Sequence, residues 1–274
     1  MLLFDVDVDQ LEVTAVGNVS DGESGSVFVA GNASFPASAI TLGDNAGNIT
    51  RFGNLTFNAS GVVDISEDGR MDVAGVSTAG AGLTLLSTDD VTLDGSVTVV
   101  GDTSIVAGTT SGGIAVNAKL NGSGTILLDA ADEITIDASI DPTTVTLNAD
   151  DDITVNSAVV ASELITISAG EDGSGSFILG AAGSLETSDS GSDITVTTGA
   201  SNGDITLTGT ATALDQVTMT SASGSINGSG LVTSGTVDLN ASSGIGNTTG
   251  VALSSSNITA DTTTGDCLLY TSPS

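Results

Sequence analysis

Short bursts of strict alternation, apolar then polar, punctuate this chain. In ITVN, Ile153 and Val155 fall on one side and Thr154 and Asn156 on the other, the two-residue period of a half-buried β-strand. The burst recurs in STDDVTLDGS at Ser87 to Ser96, DAADEITIDAS at Asp129 to Ser139 and NADDDITVNSA at Asn148 to Ala158. GSDITVTTG at Gly191 to Gly199 and NGDITLTGT at Asn202 to Thr210 repeat it again. The unit is an acidic residue, a branched apolar residue, Thr, a second apolar residue, then Asp, Asn or Thr. Weaker copies begin at Ile40, Leu55, Val145, Ile165, Val217 and Val237. Helical periodicity is close to absent, so the pattern predicts an all-β chain.

The spacing of the bursts predicts how the strands are arranged. Their first apolar positions step by 8 and by 11 to 12 residues around the best-aligned regions. These steps combine to 19 from Ile126 to Val145, 19 from Ile134 to Ile153, and 20 from Val145 to Ile165. A period near 20 that holds two or three short strands is one turn of a β-solenoid. Antiparallel hairpins, the basis of a sandwich, would join longer matched strands through two-residue turns. Here the strands between Asn-Gly and Asp-Gly read as four or five residues. The expectation is one continuous solenoid over residues 1–266 with an irregular start at 1–39, about 13 coils and on the order of 60 Å long at the strand spacing.

Composition fits that architecture. Aromatic residues make up 3% of the chain and there is no Trp, yet 39% is hydrophobic, mostly small and β-branched. Inward Ile, Val and Leu from successive coils would form columns, each contributing roughly 1.5–3 kcal/mol on full burial. Cys267 is the only cysteine, which excludes an intrachain disulfide. No apolar run is long enough for a membrane-spanning helix, for which some 18 residues are needed. MLLFDVDVD at the start has neither the positive charge nor the apolar length of a signal peptide, so an exported parent would carry its targeting segment elsewhere. The closing CLLYTSPS, residues 267–274, holds the only Cys and the only Tyr. It reads as a non-native, disordered tail outside the fold.

Charge narrows the partners. Asp and Glu number 34 against three Lys and Arg, a formal net charge of −31. Nucleic-acid binding is excluded, because phosphate neutralisation needs the cations this chain lacks. Docking on an anionic membrane fails for the same reason.

GNLTFNASGVVDISEDG at Gly53 to Gly69, with the DITV and DITL repeats, resembles the repeat regions of large bacterial surface proteins. These are the filamentous-haemagglutinin-like and autotransporter-like adhesins, and the resemblance covers roughly Ile40 to Ala260. It implies a right-handed parallel β-helix with coils of about 20 residues. It further implies an extracellular or cell-surface home, a host or environmental surface, glycan or matrix component as partner, and the remainder of a larger polypeptide. An Arg-Gly-Asp tripeptide, found in some such adhesins, is absent here.

The acidic residues before the strand bursts are the candidate site. Asp90, Glu133, Asp152, Asp193 and Asp204 each precede the burst at the same position. Stacked coils would bring Asp132, Glu133, Asp151 and Asp152 together, and Ca²⁺ prefers several such oxygens. The competing reading is that Asp is a turn residue that hydrogen-bonds its own backbone and so begins a strand at a coil corner. Neither a calcium-binding nonapeptide repeat nor an EF-hand loop is present.

Catalysis is the second class. A polysaccharide lyase needs Lys or Arg beside the substrate carboxylate, whereas Arg51 and Arg70 read as surface residues. A glycosidase needs only two suitably spaced carboxylates, but carbohydrate sites favour aromatic platforms, scarce here. The expectation is no enzyme activity, with a polysaccharide-active β-helix enzyme as the alternative. Finally, Thr195 and Thr197, Thr206 and Thr208, and Thr218 and Thr220 form Thr-x-Thr pairs of the kind seen on ice-binding solenoids. Their steps of 11 and 12 are too short for one coil, which places the pairs on different faces.

Overall fold

The computed structural model describes residues 1–22, 25–44 and 49–271. Among them there is no helix, hence none long and apolar enough to cross a membrane. Strands pair in parallel and stack into a β-solenoid of about 13 turns spaced by about 21 residues. Antiparallel sandwiches are thereby excluded. The coils fall into two compact units, Met1–Ala131 and Asp132–Ser274.

In the first unit one coil is three strands, Val63–Glu67, Met71–Val73 and Ser77–Ala79. The next coil repeats them as Leu83–Ser87, Val91–Leu93 and Val97–Val99. Val63 lies beside Leu83, Met71 beside Val91 and Ser77 beside Val97. Period-two alternation sends every second side chain inward, so like residues meet like. Ile65, Leu85, Ile105 and Leu128 form one such column, each 0% exposed. Phe35 meets Phe52 edge to face, with ring centroids 5.6 Å apart.

The second unit shows the expected register directly. Ile134 pairs with Ile153, and Val145 with Ile165. Coils then lengthen, pairing Ile153 with Phe177 and Ile165 with Ile194, before shortening so that Val217 meets Val237. The extra residues lie in corners such as GEDGSGS at 170–176, outside the strands. The inward column Leu147, Ile167, Val196, Met219 and Leu239 runs past these insertions without a break. Length variation at corners leaves the core untouched because only strand registers set the columns.

Paired strands reach both ends of the described residues. Strands occur from Leu2 onward, with Val6–Val8 paired to Val27 and its neighbours. Leu269–Thr271 pairs with Val251–Leu253, while residues 272–274 of the expected tail lie outside the described residues. Tight corners use glycine where no side chain fits. Gly108 has φ +71°, and a Cβ there would stand 2.0 Å from the Ser111 carbonyl oxygen.

Candidate functional site

The acidic corner of the second unit brings together three stretches, 132–135, 151–154 and 174–176. They border an open depression of about 450 Å³ whose wall includes Glu133, Asp151 and Asp152, with Asn202 from the coil beyond. Each carboxylate reaches this corner because it closes the turn that precedes a short strand, Ile134–Ile136 or Ile153–Val155.

The pre-strand carboxylates share one geometry. Asp152 Oδ1 accepts the Ser176 backbone N–H at 2.7 Å. Asp204 Oδ1 accepts the Ser225 N–H at 2.7 Å and its hydroxyl at 2.9 Å. Asp193 Oδ1 accepts the Gln216 N–H at 3.1 Å. In the first unit Asp90 accepts the Gly113 N–H at 3.0 Å, and Asp102 takes that of Thr125 at 2.9 Å. In each case the donor lies one coil further on. Corner amides that leave the ladder need an acceptor, and a carboxylate supplies a charge-assisted one. Asp90, Asp152, Asp193 and Asp204 thus stand before or at strand starts as expected, but they bond the backbone of the following coil rather than their own.

Asp132 and Asp151 are different. Desolvation first, then the hydrogen bond and charge of Asp132, then the charges of Asp172 and Asp152, push the Asp151 carboxyl above its ordinary range. The Asp151 N–H also donates to the Asp132 carbonyl at 3.3 Å. These acids repel one another across stacked coils. Among the described residues, no group of three or more His, Cys, Asp or Glu is arranged to hold a metal ion.

The closing residue of the strand burst also connects coils. Asn156 Nδ2 donates to Asp137 Oδ1 at 2.8 Å, and in the first unit Asn117 Nδ2 donates to Asp94 Oδ1 at 2.8 Å. An amide above a carboxylate replaces repulsion with a hydrogen bond, which accounts for Asp and Asn sharing this slot.

The threonine pairs are partly regrouped. Thr195 and Thr197 lie directly beside Thr218 and Thr220 on one face, because the coil between them has 23 residues. Thr206 belongs to the neighbouring face, between Ile178 and Asn227. Thr146 and Thr166 extend the first row, which then meets Asp238.

Arg51 and Arg70 are exposed, as expected, but they border a single cleft in the first unit together with Glu67, which the repeat pattern gave no role. The alternation Val63, Ile65, Glu67 was the available signal, since it directs an acid inward.

No protein-family model, curated protein or solved structure matches this chain.

Proposed function

We propose that this chain is a structural and adhesive segment of a larger bacterial surface or secreted protein, a stiff stalk whose flanks contact glycan or matrix. The observation that carries the reading is the unbroken inward column from Leu147 to Leu239, continuous through coils of unequal length. A scaffold built this way gains stability coil by coil from nearest-neighbour stacking. It also tolerates corner variation, which is where contact with a partner is free to diversify. Strand edges and outward side chains would contact partners through shape and backbone groups. An extracellular or cell-surface setting accords with a net charge of −31, which keeps a long repetitive chain from self-associating.

Beads coated with the purified chain test this reading on surfaces bearing glycans or matrix components. Retention above that of albumin-coated beads supports it. Equal retention on every surface, or release of reducing ends from polysaccharide by the chain, overturns it.

A further inference from the structure

The solenoid ladder is interrupted between Thr50–Ala59 and Met71–Val73 in the first unit. These strands pair only at Leu55 and Val73, whereas Met71–Val73 pairs with Val91–Leu93 over all three residues. Where the next coil would offer carbonyl oxygens, side chains take their place. Asp68 Oδ2 accepts the Thr50 N–H at 2.9 Å, and Glu67 Oε1 accepts the Phe52 N–H at 2.6 Å.

This break opens a cleft of about 390 Å³ bounded by Phe28, Arg51, Glu67, Asp68, Arg70 and Asp89. Its makeup departs from the rest of the chain. Two of the three basic residues meet here, and two of the six Phe line it, Phe28 being 41% exposed and Phe52 5%. Phe28 and Arg51 are direct ladder partners, so their outward side chains leave the sheet from adjacent positions. Arg51 is held by Nε donating to the Asp68 carbonyl at 2.7 Å. Arg70 is held by Asp72 at 2.8 Å and by Thr92 at 3.2 Å. Glu67 is only 3% exposed and its Oε2 is buried with no hydrogen-bond partner.

We propose that this cleft binds one residue of a neutral, hydroxyl-rich glycan, with Phe28 beneath the sugar ring and Arg51, Arg70, Asp68 and Asp89 bonding its hydroxyls. A hydroxyl both donates and accepts, and the cleft offers planar donors beside planar acceptors. Asp68, Asp89 and Asp72, the last paired with Arg70, outnumber the two arginines, which favours an uncharged ligand over an anionic one. Burial pushes the Glu67 carboxyl up to about 8, so at neutral pH it adds no negative charge to the cleft. The inference deepens the adhesive half of the proposed function by naming a ligand class.

Saturation-transfer NMR with the full chain and cellotetraose, maltotetraose, mannotetraose and trigalacturonate tests it. At least one neutral tetrasaccharide is expected to bind saturably and above trigalacturonate. Phe28→Ala and Arg51→Ala should each weaken it about ten-fold, the equivalent of one lost good contact, with unchanged circular dichroism. Both side chains point outward, so neither variant removes core. Binding by no neutral sugar, preference for trigalacturonate, or unaltered affinity in both variants overturns the assignment. Bead retention that persists without soluble-sugar binding would sink the cleft alone and leave the adhesive reading standing.

Discussion

The Asp152 carboxylate accepts the backbone N–H of Ser176 at 2.7 Å, from a residue one coil further along the solenoid. The same bond joins Asp204 to Ser225. A pre-strand aspartate is thus a clamp between coils. Asp152→Ala is expected to cost about 1–2 kcal/mol in urea unfolding, the loss of one charge-assisted bond. Asp150→Ala, which removes a neighbouring half-buried charge, should fall within about 0.5 kcal/mol of the parent. Equal losses for the two would deny Asp152 its clamp role.

The inward columns hold the second unit together. Ile167 stacks between Leu147 and Val196 and is 0% exposed. Ile167→Ala should lower stability by about 2–5 kcal/mol through lost burial and a residual cavity. Its outward neighbour Thr166→Ala should change it by under about 0.5 kcal/mol. Chemical denaturation of both variants reads the contrast.

Glu67 makes the first unit pH-dependent. Its carboxyl is raised from 4.5 to about 8, chiefly by burial, with Asp72 and Asp68 adding to the rise and the Phe52 N–H and Arg51 opposing it. The folded chain keeps a proton that the unfolded chain releases. The associated stability is fully present below about 4.5 and is lost as pH climbs through about 8. By linkage this amounts to on the order of a few kcal/mol. Glu67→Gln should flatten the decline between those pH values and exceed the parent in stability at alkaline pH. An undiminished slope in the variant would contradict this origin.

Asp132, Asp152 and Asp172 repel Asp151 at one corner, where no group of acids among the described residues is arranged to hold a metal ion. Salt is therefore expected to act there by screening alone, so millimolar CaCl₂ and NaCl of equal ionic strength should raise Tm by the same amount. Asp151→Asn should shrink both shifts. A larger shift with CaCl₂, abolished in the variant, would instead assign a calcium site.

Legibility in the sequence followed from how strictly the coil length was kept. Ile134 and Ile153, or Val145 and Ile165, are register partners, and their spacing of 19 and 20 was plain because no corner insertion separates them. From Ile165 to Ile194 the coil gains residues at its corners, and a fixed period misses the pairing. That drift also hid the stacking of Thr195 on Thr218. The strands before Ala37 were obscured because the burst of acid, branched apolar residue and Thr does not recur there. The Glu67 cleft was hidden for another reason. A break in the ladder arises from which coil partners a strand finds, and local alternation carries no record of that.

Successive coils stack in parallel, one strand spacing apart. Thr146, Thr166, Thr195, Thr218, Asp238 and Thr259 form one outward row in the second unit. Spin labels at Thr146 paired with Asp238, and at Thr146 paired with Thr259, measure it by double electron–electron resonance. The backbone separations predicted are ~19 Å and ~24 Å, growing by ~4.8 Å per coil. Distances that do not increase by one strand spacing between the two pairs would contradict the solenoid and the adhesive scaffold built on it.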